Sequence, residues 1–291
     1  MRGASAAFLC ALLWLGACSP PPAQLEPPAA SPTTAGAQGQ GPQAISLPAT
    51  AEPASAPVAA TAVDDAVRRP QLALVMDALG FRRDRVQQLL ALGLTMTYAV
   101  LPAEPRTTEI HQMLQDARVP VIVHMPMEPR GFPQVQPGPC ALLLAEPESW
   151  EATLRDCTGR VPAAQGLNNH MGSALTEHRE AMDVLARFLA GRTWFFLDSL
   201  TSGKSVAGAA MRQAGVPVVQ RDVFLDDDRD ATMIAAQWQR ALVLARRRGA
   251  AVVIGHPYPE TLQVLRQSIE RGDLADIELV PVQQLARYPD K

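Results

Sequence analysis

Several things are scarce in this chain of 291 residues. Aromatic residues make up only 5% of it, so broad stacking surfaces for sugars or bases are not evident from composition. Neither sign of charge dominates: 26 Lys and Arg against 29 Asp and Glu leave a formal net charge of −3. That balance gives no electrostatic reason to expect nucleic acid or an anionic membrane surface as a partner. No glycine-rich phosphate loop of the Walker or dinucleotide type occurs, which argues against a nucleotide cofactor. Ser173, within Met171-Gly172-Ser173-Ala174, lacks the Gly-x-Ser-x-Gly elbow of a serine nucleophile, and no His-Glu-x-x-His metal motif is found. No sequence repeat of fixed period is evident. What is present is a hydrophobic fraction of 47%, enough for a substantial core, and length for one large domain or two small ones.

The amino-terminal end carries an address. Arg2 supplies a positive start, and Ala6 to Leu15 is an apolar run too short to remain as a membrane-spanning helix. It closes in Leu15-Gly16-Ala17-Cys18, which resembles a lipobox. Residues 1–18 are therefore expected to be an export signal ending in a lipidated Cys18, whose acyl chains anchor the protein at roughly 0.8 kcal/mol per buried methylene. Ser19, in place of aspartate after the cysteine, favours the outer membrane by the same resemblance. Residues 19–69 are rich in Pro and Ala and have no helical or strand period, so they read as a disordered tether. With Cys10 in the signal and Cys18 acylated, Cys140 and Cys157 remain. An oxidising periplasm would let them form a disulfide; the other reading is two buried thiols.

From residue 70 to 291 short apolar runs alternate with helical periods. Leu72 to Met76 reads as a buried strand ending at Asp77, and Val119 to Val123 as one ending at His124. Ile110, Met113, Leu114 and Ala117 share one helical face. Seven or eight such βα units predict a parallel α/β sheet closed as a barrel. The stretch from Pro126 to Pro139 is long for a loop, and long loops in compact domains tend to cover binding sites.

Asp77, His124, His170, Asp198, Asp222 and His256 all fall at or just past predicted strand ends, which in a parallel barrel share the rim where active sites are built. The other two histidines, His111 and His178, fall on predicted helices and read as surface residues. Imidazole and carboxylate suit zinc or a similar divalent ion, with room left for water. Such an ion lowers the pKa of bound water toward roughly 7. A carboxylate able to take a proton and an acid able to protonate a leaving group would complete a site for amide or ester hydrolysis.

The strand-end motifs together resemble those of the divergent polysaccharide deacetylase family. They are Leu74-Val75-Met76-Asp77-Ala78-Leu79-Gly80, Ala99-Val100-Leu101-Pro102, His124-Met125-Pro126-Met127-Glu128-Pro129, Leu167-Asn168-Asn169-His170-Met171-Gly172-Ser173, Phe195-Phe196-Leu197-Asp198-Ser199, Arg221-Asp222-Val223-Phe224-Leu225-Asp226 and Ile254-Gly255-His256-Pro257. The resemblance spans nearly all of residues 70 to 286. It implies a deformed (β/α) barrel of about seven parallel strands that removes acetyl groups from amino sugars with metal-activated water. By position it implies Asp77 as base or metal ligand, His124 as metal ligand and His256 as catalytic acid. His170 joins the metal set by its place on the rim, and Glu128, Asn169, Asp198 and Asp222 are candidates for substrate contact. The partner implied is an envelope polysaccharide or peptidoglycan. Two departures bear on activity. Ala78 stands where the family has a second, metal-binding aspartate. Leu200 and Tyr258 replace a frequent arginine and histidine. A non-catalytic envelope lipoprotein that binds glycan or a protein partner is the competing expectation. A metal phosphoesterase, with Arg221 as the clear basic candidate, ranks below both.

Overall fold

The computed structural model describes residues 69–287; the expected export signal, Cys18 and the expected tether up to residue 68 lie outside the described residues. In chain order the elements are β1 (Gln71–Leu79), α1 (Arg83–Leu90), β2 (Thr97–Val100), α2 (Thr107–Asp116), β3 (Val121–Met127), α3 (Trp150–Gly159), β4 (Gly166–Met171) and α4 (Arg179–Ala190). They continue with β5 (Phe195–Asp198), α5 (Ala207–Gln213), β6 (Val218–Gln220), β7 (Val223–Phe224), α6 (Ala231–Arg248), β8 (Ala250–Gly255), α7 (Pro259–Arg271) and β9 (Glu278–Leu279).

The strands pair in the order β6-β5-β4-β3-β2-β1-β8-β7, with β9 added beside the start of β1, and every ladder is parallel. β6 and β7 stand at opposite ends of that path, yet only Arg221 and Asp222 separate them in sequence. The amide of Arg221 donates to the Asp198 carbonyl of β5 (3.1 Å), and the next amide, of Asp222, donates to the Val252 carbonyl of β8 (2.8 Å). The chain thus passes from one edge of the sheet to the other within one residue, and the ring closes covalently as a deformed barrel of seven staves.

Parallel strands buried on both faces read as continuous hydrophobic runs, so their inward residues are not obvious from the sequence. The packing separates them. Ala73, Val75, Ala99, Ile122, Phe195, Leu197, Val252 and Ile254 form the barrel interior, while Leu72, Leu74, Met76, Val121, Val123, Phe196, Ala251 and Val253 face the helices. The amino-terminal mouth is plugged by Val280, Val282 and Leu285 of the carboxy-terminal segment, where the Val282 amide donates to the Thr97 hydroxyl (3.1 Å). Two elements differ from expectation. β3 does not stop at Val123 but runs through His124 to Met127. His111 is buried rather than on the surface: it widens the inner face of α2 beside Ile110 and Leu114, and its Nε2 accepts from the Ala163 amide (3.1 Å).

Helix ends follow local chemistry. Asp230 caps α6 by accepting from the amides of Thr232 and Met233 (2.8 and 3.1 Å). Arg246, Arg247 and Arg248 occupy its last turn, where positive charge meets the negative dipole end, and Gly249 stops it at φ 80°. The long excursion after β3 is fastened rather than loose. Glu128 accepts from the Leu144 amide (2.7 Å), Trp150 Nε1 donates to the Leu143 carbonyl (2.7 Å), and a disulfide joins Cys140 to Cys157 of α3 with a Cα–Cα distance of 6.1 Å.

Candidate functional site

The open, carboxy-terminal mouth of the barrel holds a cavity of about 460 Å³ walled by Asp77, His124, His170, Leu200, Arg221 and His256, among others. Strand alternation selects its polar floor. Asp77 continues the inward series Ala73, Val75 on β1; His124 follows Ile122 on β3; His256 follows Val252 and Ile254 of β8. On β4, Leu167 faces the helices, so Asn168 and His170 turn inward. The β1 ladder slips register between Met76 and Leu79, and within that bulge Ala78 takes φ 55°. Left-handed backbone at a non-glycine residue is uncommon and is better tolerated by aspartate or asparagine than by alanine.

The floor is a single hydrogen-bonded chain. Asn168 Nδ2 donates to both carboxylate oxygens of Asp77 (2.9 and 3.1 Å) and approaches the Ser199 hydroxyl (3.2 Å). Its Oδ1 therefore accepts from Nδ1–H of His124 (2.9 Å), which leaves the His124 Nε2 lone pair facing Nδ1–H of His170 at 3.0 Å. Burial pushes the Asp77 carboxyl up to about 6, against the lowering effects of His256 and of the Asn168 hydrogen bond. Burial also drives His124 and His170 down to about 3, so both rings are neutral near pH 7. On the opposite wall His256 rests on Asp226: its amide donates to Oδ2 (2.6 Å) and its Nδ1 to Oδ1 (2.9 Å), while the Thr261 hydroxyl also donates to Oδ2 (2.7 Å). Burial alone would lower His256. The Asp226 hydrogen bond and the charges of Asp226 and Asp77 outweigh it and hold the imidazole above its ordinary value.

Two imidazole nitrogens bound to one ion at roughly 2.0–2.1 Å each lie about 3 Å apart. The His124 Nε2 and His170 Nδ1 pair at 3.0 Å fits that edge, with the His170 proton carried on Nε2 instead. A third protein donor does not join it. Asp77 lies behind His124, 3.6 Å from Nδ1, and position 78 offers only a methyl group. Among the described residues the one trio of His, Cys or acidic donor atoms gathered within 4.8 Å is Cys140, Asp156 and Cys157, whose sulfurs are spent on each other. The donor set thus suits an ion held by two histidines, with its other positions left to water or substrate.

Four expected substrate contacts behave differently. Asn169 borders the cavity, but its amide is occupied by the Met171 carbonyl (2.8 Å), the Thr201 hydroxyl (3.3 Å) and the Ser199 amide (2.9 Å). Glu128, Asp198 and Asp222 do not line the cavity. Glu128 holds the Leu144 amide, and Asp198 accepts from the Leu200 amide (2.9 Å) and the Ser205 hydroxyl (2.8 Å). Asp222 holds the Val252 amide (2.9 Å) and Arg248 (3.1 Å). These carboxylates fasten loops and the seam of the barrel. Asn168 and Asp226 were not singled out from the sequence. The two-residue strand period does point to Asn168, two before His170; Asp226 carries no comparable spacing signal.

Fold and rim together define a deformed (β/α) barrel with an acid–histidine site at its open mouth. The sequence profile of the divergent polysaccharide deacetylase family matches residues 74–286. The uncharacterized protein YibQ of Escherichia coli (strain K12) is 35% identical over 228 residues, covering 78% of this chain and 71% of YibQ. An uncharacterized protein of Haemophilus influenzae is 33% identical over 217 residues, covering 75% of this chain and 77% of that protein. The crystal structure of the uncharacterized protein ATU2773 from Agrobacterium tumefaciens C58 shares the fold at a TM-score of 0.69 and 23% identity, covering 76% of this chain and 91% of that one. The chain belongs to the divergent polysaccharide deacetylase family.

Proposed function

We propose that the protein is a metal-assisted deacetylase acting on an amino sugar of an envelope polysaccharide or peptidoglycan. The observation that carries this reading is the pairing, in one cavity, of a carboxylate raised to about 6 with a histidine held above its usual range by its own aspartate. Asp77 is the base: near neutral pH it is mostly ionised yet basic enough to take a proton from an attacking water. His256, whose protonated form Asp226 favours, gives its proton to the departing amine as the acetyl group leaves. Asn168 orients both Asp77 and His124. His124 and His170 would hold a divalent ion, zinc by its taste for imidazole, which when bound acidifies water and polarises the acetyl carbonyl.

Location follows the same proposal. A lipid on Cys18 and a tether of about fifty residues, with a root-mean-square reach of roughly 40 Å, would hold the barrel on the periplasmic side, within range of cell-wall glycan. The Cys140–Cys157 disulfide supports an oxidising compartment.

The test is release of acetate from N-acetylated amino-sugar oligomers by the full-length chain. Release that disappears with chelator, returns with a divalent ion and is absent in Asp77→Asn supports the proposal. No release with any divalent ion from a folded sample overturns it. The second reading, a glycan- or partner-binding lipoprotein without chemistry, is favoured by Ala78 alone. Its backbone keeps a conformation suited to aspartate, but it has no donor atom. Binding of N-acetylated amino-sugar oligomers without acetate release from a folded sample, with any divalent ion, would decide for that reading.

A further inference from the structure

A second cavity, of about 420 Å³, opens on the far side of His256, which walls both. Among the described residues its lining includes Phe81, Arg82, Arg85, Arg229 and Tyr258, and no carboxylate. The three guanidiniums are unequally satisfied. Arg82 forms a fork with Asp84 (2.8 and 2.7 Å). Arg229 reaches Glu260 only at 3.6 Å, and that Glu260 oxygen is buried without a hydrogen bond. Arg85 donates to the neutral Gln88 side chain (3.2 Å) and has no acidic partner among the described residues. Arg229 is fixed over the Tyr258 ring, 4.0 Å from its centroid, and Tyr258 stacks on His256 at 5.2 Å. Phe81 leaves 49% of its surface exposed at the groove, an apolar platform for the C–H face of a sugar ring.

Ala78 lines this groove and not the first cavity. A carboxylate at position 78 would stand among the arginines and compete with an anion for them; alanine adds no negative charge to the groove. A guanidinium presents a planar fork of donors that matches carboxylate or phosphate, and a volume of this size suits a sugar unit.

We propose that this groove is a subsite for an anionic sugar residue, adjoining the amino sugar processed in the first cavity. The proposal rests on the glycan reading above and gives it a substrate class: an acidic polymer rather than a neutral one. Phe81 carries the ring, Arg85 and Arg229 take the anion, and His256 marks the boundary between the two units.

The test is equilibrium binding, without turnover, of matched disaccharides to the full-length protein. One carries a lactyl carboxylate on one sugar, one the corresponding methyl ester, and one a phosphate in place of the carboxylate. An anionic disaccharide is expected to bind at least tenfold more tightly than the ester, with an advantage that shrinks as salt is raised. The carboxylate and phosphate arms distinguish the two anions. In Arg85→Gln/Arg229→Gln, shown folded by an unchanged melting temperature, the advantage should fall below threefold, and Ala78→Asp should reduce it too. Equal affinity of wild type for acid and ester, or no measurable binding of either, overturns the proposal without reference to any variant. A charge preference with no acetate release would leave the subsite standing and remove the hydrolase; acetate release with no charge preference would do the reverse.

Discussion

The rim cavity has two histidine-bearing walls wired in opposite ways. On the β3–β4 side, His124 and His170 face each other at 3.0 Å, are driven down to about 3 by burial, and are hydrogen-bonded to a carboxylate only through Asn168. On the β7–β8 side, His256 bonds Asp226 directly and is held above its ordinary value despite its own burial. One residue type is left in two electrostatic settings because one wall supplies a directly hydrogen-bonded carboxylate and the other does not. Neutral imidazoles offer lone pairs, as metal ligands must; a charged imidazole offers a proton. Asp77, between them, belongs to neither wall alone.

The largest effect should come from dismantling the neutral wall. His170→Ala is expected to weaken divalent-ion binding by on the order of 10²-fold or more, above what loss of an outer-sphere partner costs. His256→Ala should change it by only a few-fold. Calorimetric titration with zinc checks both, and equal losses would erase the distinction between the walls. Breaking the charged wall comes next. In Asp226→Asn, only the charge of Asp77 still opposes burial, so the His256 pKa should fall. Acetate release at pH 7 should drop by about 10²-fold, with the imidazole titration followed by NMR.

A smaller effect is expected from the bridge between the walls. Asn168→Ala leaves the Asp77 carboxylate and the His124 Nδ1–H buried without partners, at a cost of about 1–3 kcal/mol in chemical denaturation. The subtlest is the pH dependence of stability. His124 and His170, lowered from 6.5 to about 3 in the folded state, contribute stability that is present above 6.5 and lost as pH falls toward 3. Asp77, raised from 3.8 to about 6, acts the other way: its contribution is present below 3.8 and lost as pH rises through 6. Two groups against one give net destabilisation on acidification, and Asp77→Asn should make that loss steeper. A melting-temperature series from pH 7 to 4 that is flat, or shallower in the variant, would contradict this balance.

Much of the fold was legible because strands and helices alternate with clear stops such as Gly93 and Gly249, and because strand ends collect polar residues. Asp77, His124, His170 and His256 were all found that way, and the structure brings them to one cavity. The errors share a cause. In strands apolar on both faces, the sequence does not announce which parity points inward. Asp198 follows the inward Leu197 but turns outward itself, to hold the loop after β5. Asn169 is among the expected contacts and Asn168 is not, although the alternation places residue 168 on the same side as His170. Asp226 becomes meaningful only once β7 and β8 are known to be neighbours. The seam at Arg221 and Asp222 is invisible for a related reason: nothing in the sequence tells that Val218–Gln220 pairs with β5 while Val223 and Phe224, three residues on, pair with β8.

That seam also makes the barrel an arch rather than a hoop. Between β4, which carries His170, and β8, which leads to His256, the continuous ladder runs only through β3, β2 and β1. The other way round, it is interrupted at two residues. The span between the proton donor and the paired imidazoles is therefore set by the curvature of five strands, and that curvature depends on the side chains wedged inside, Ala99 and Ile122 among them. A methyl group added or removed well below the rim would change the width of the mouth, so the spacing of the rim histidines is a property of the keystone residues as much as of the site.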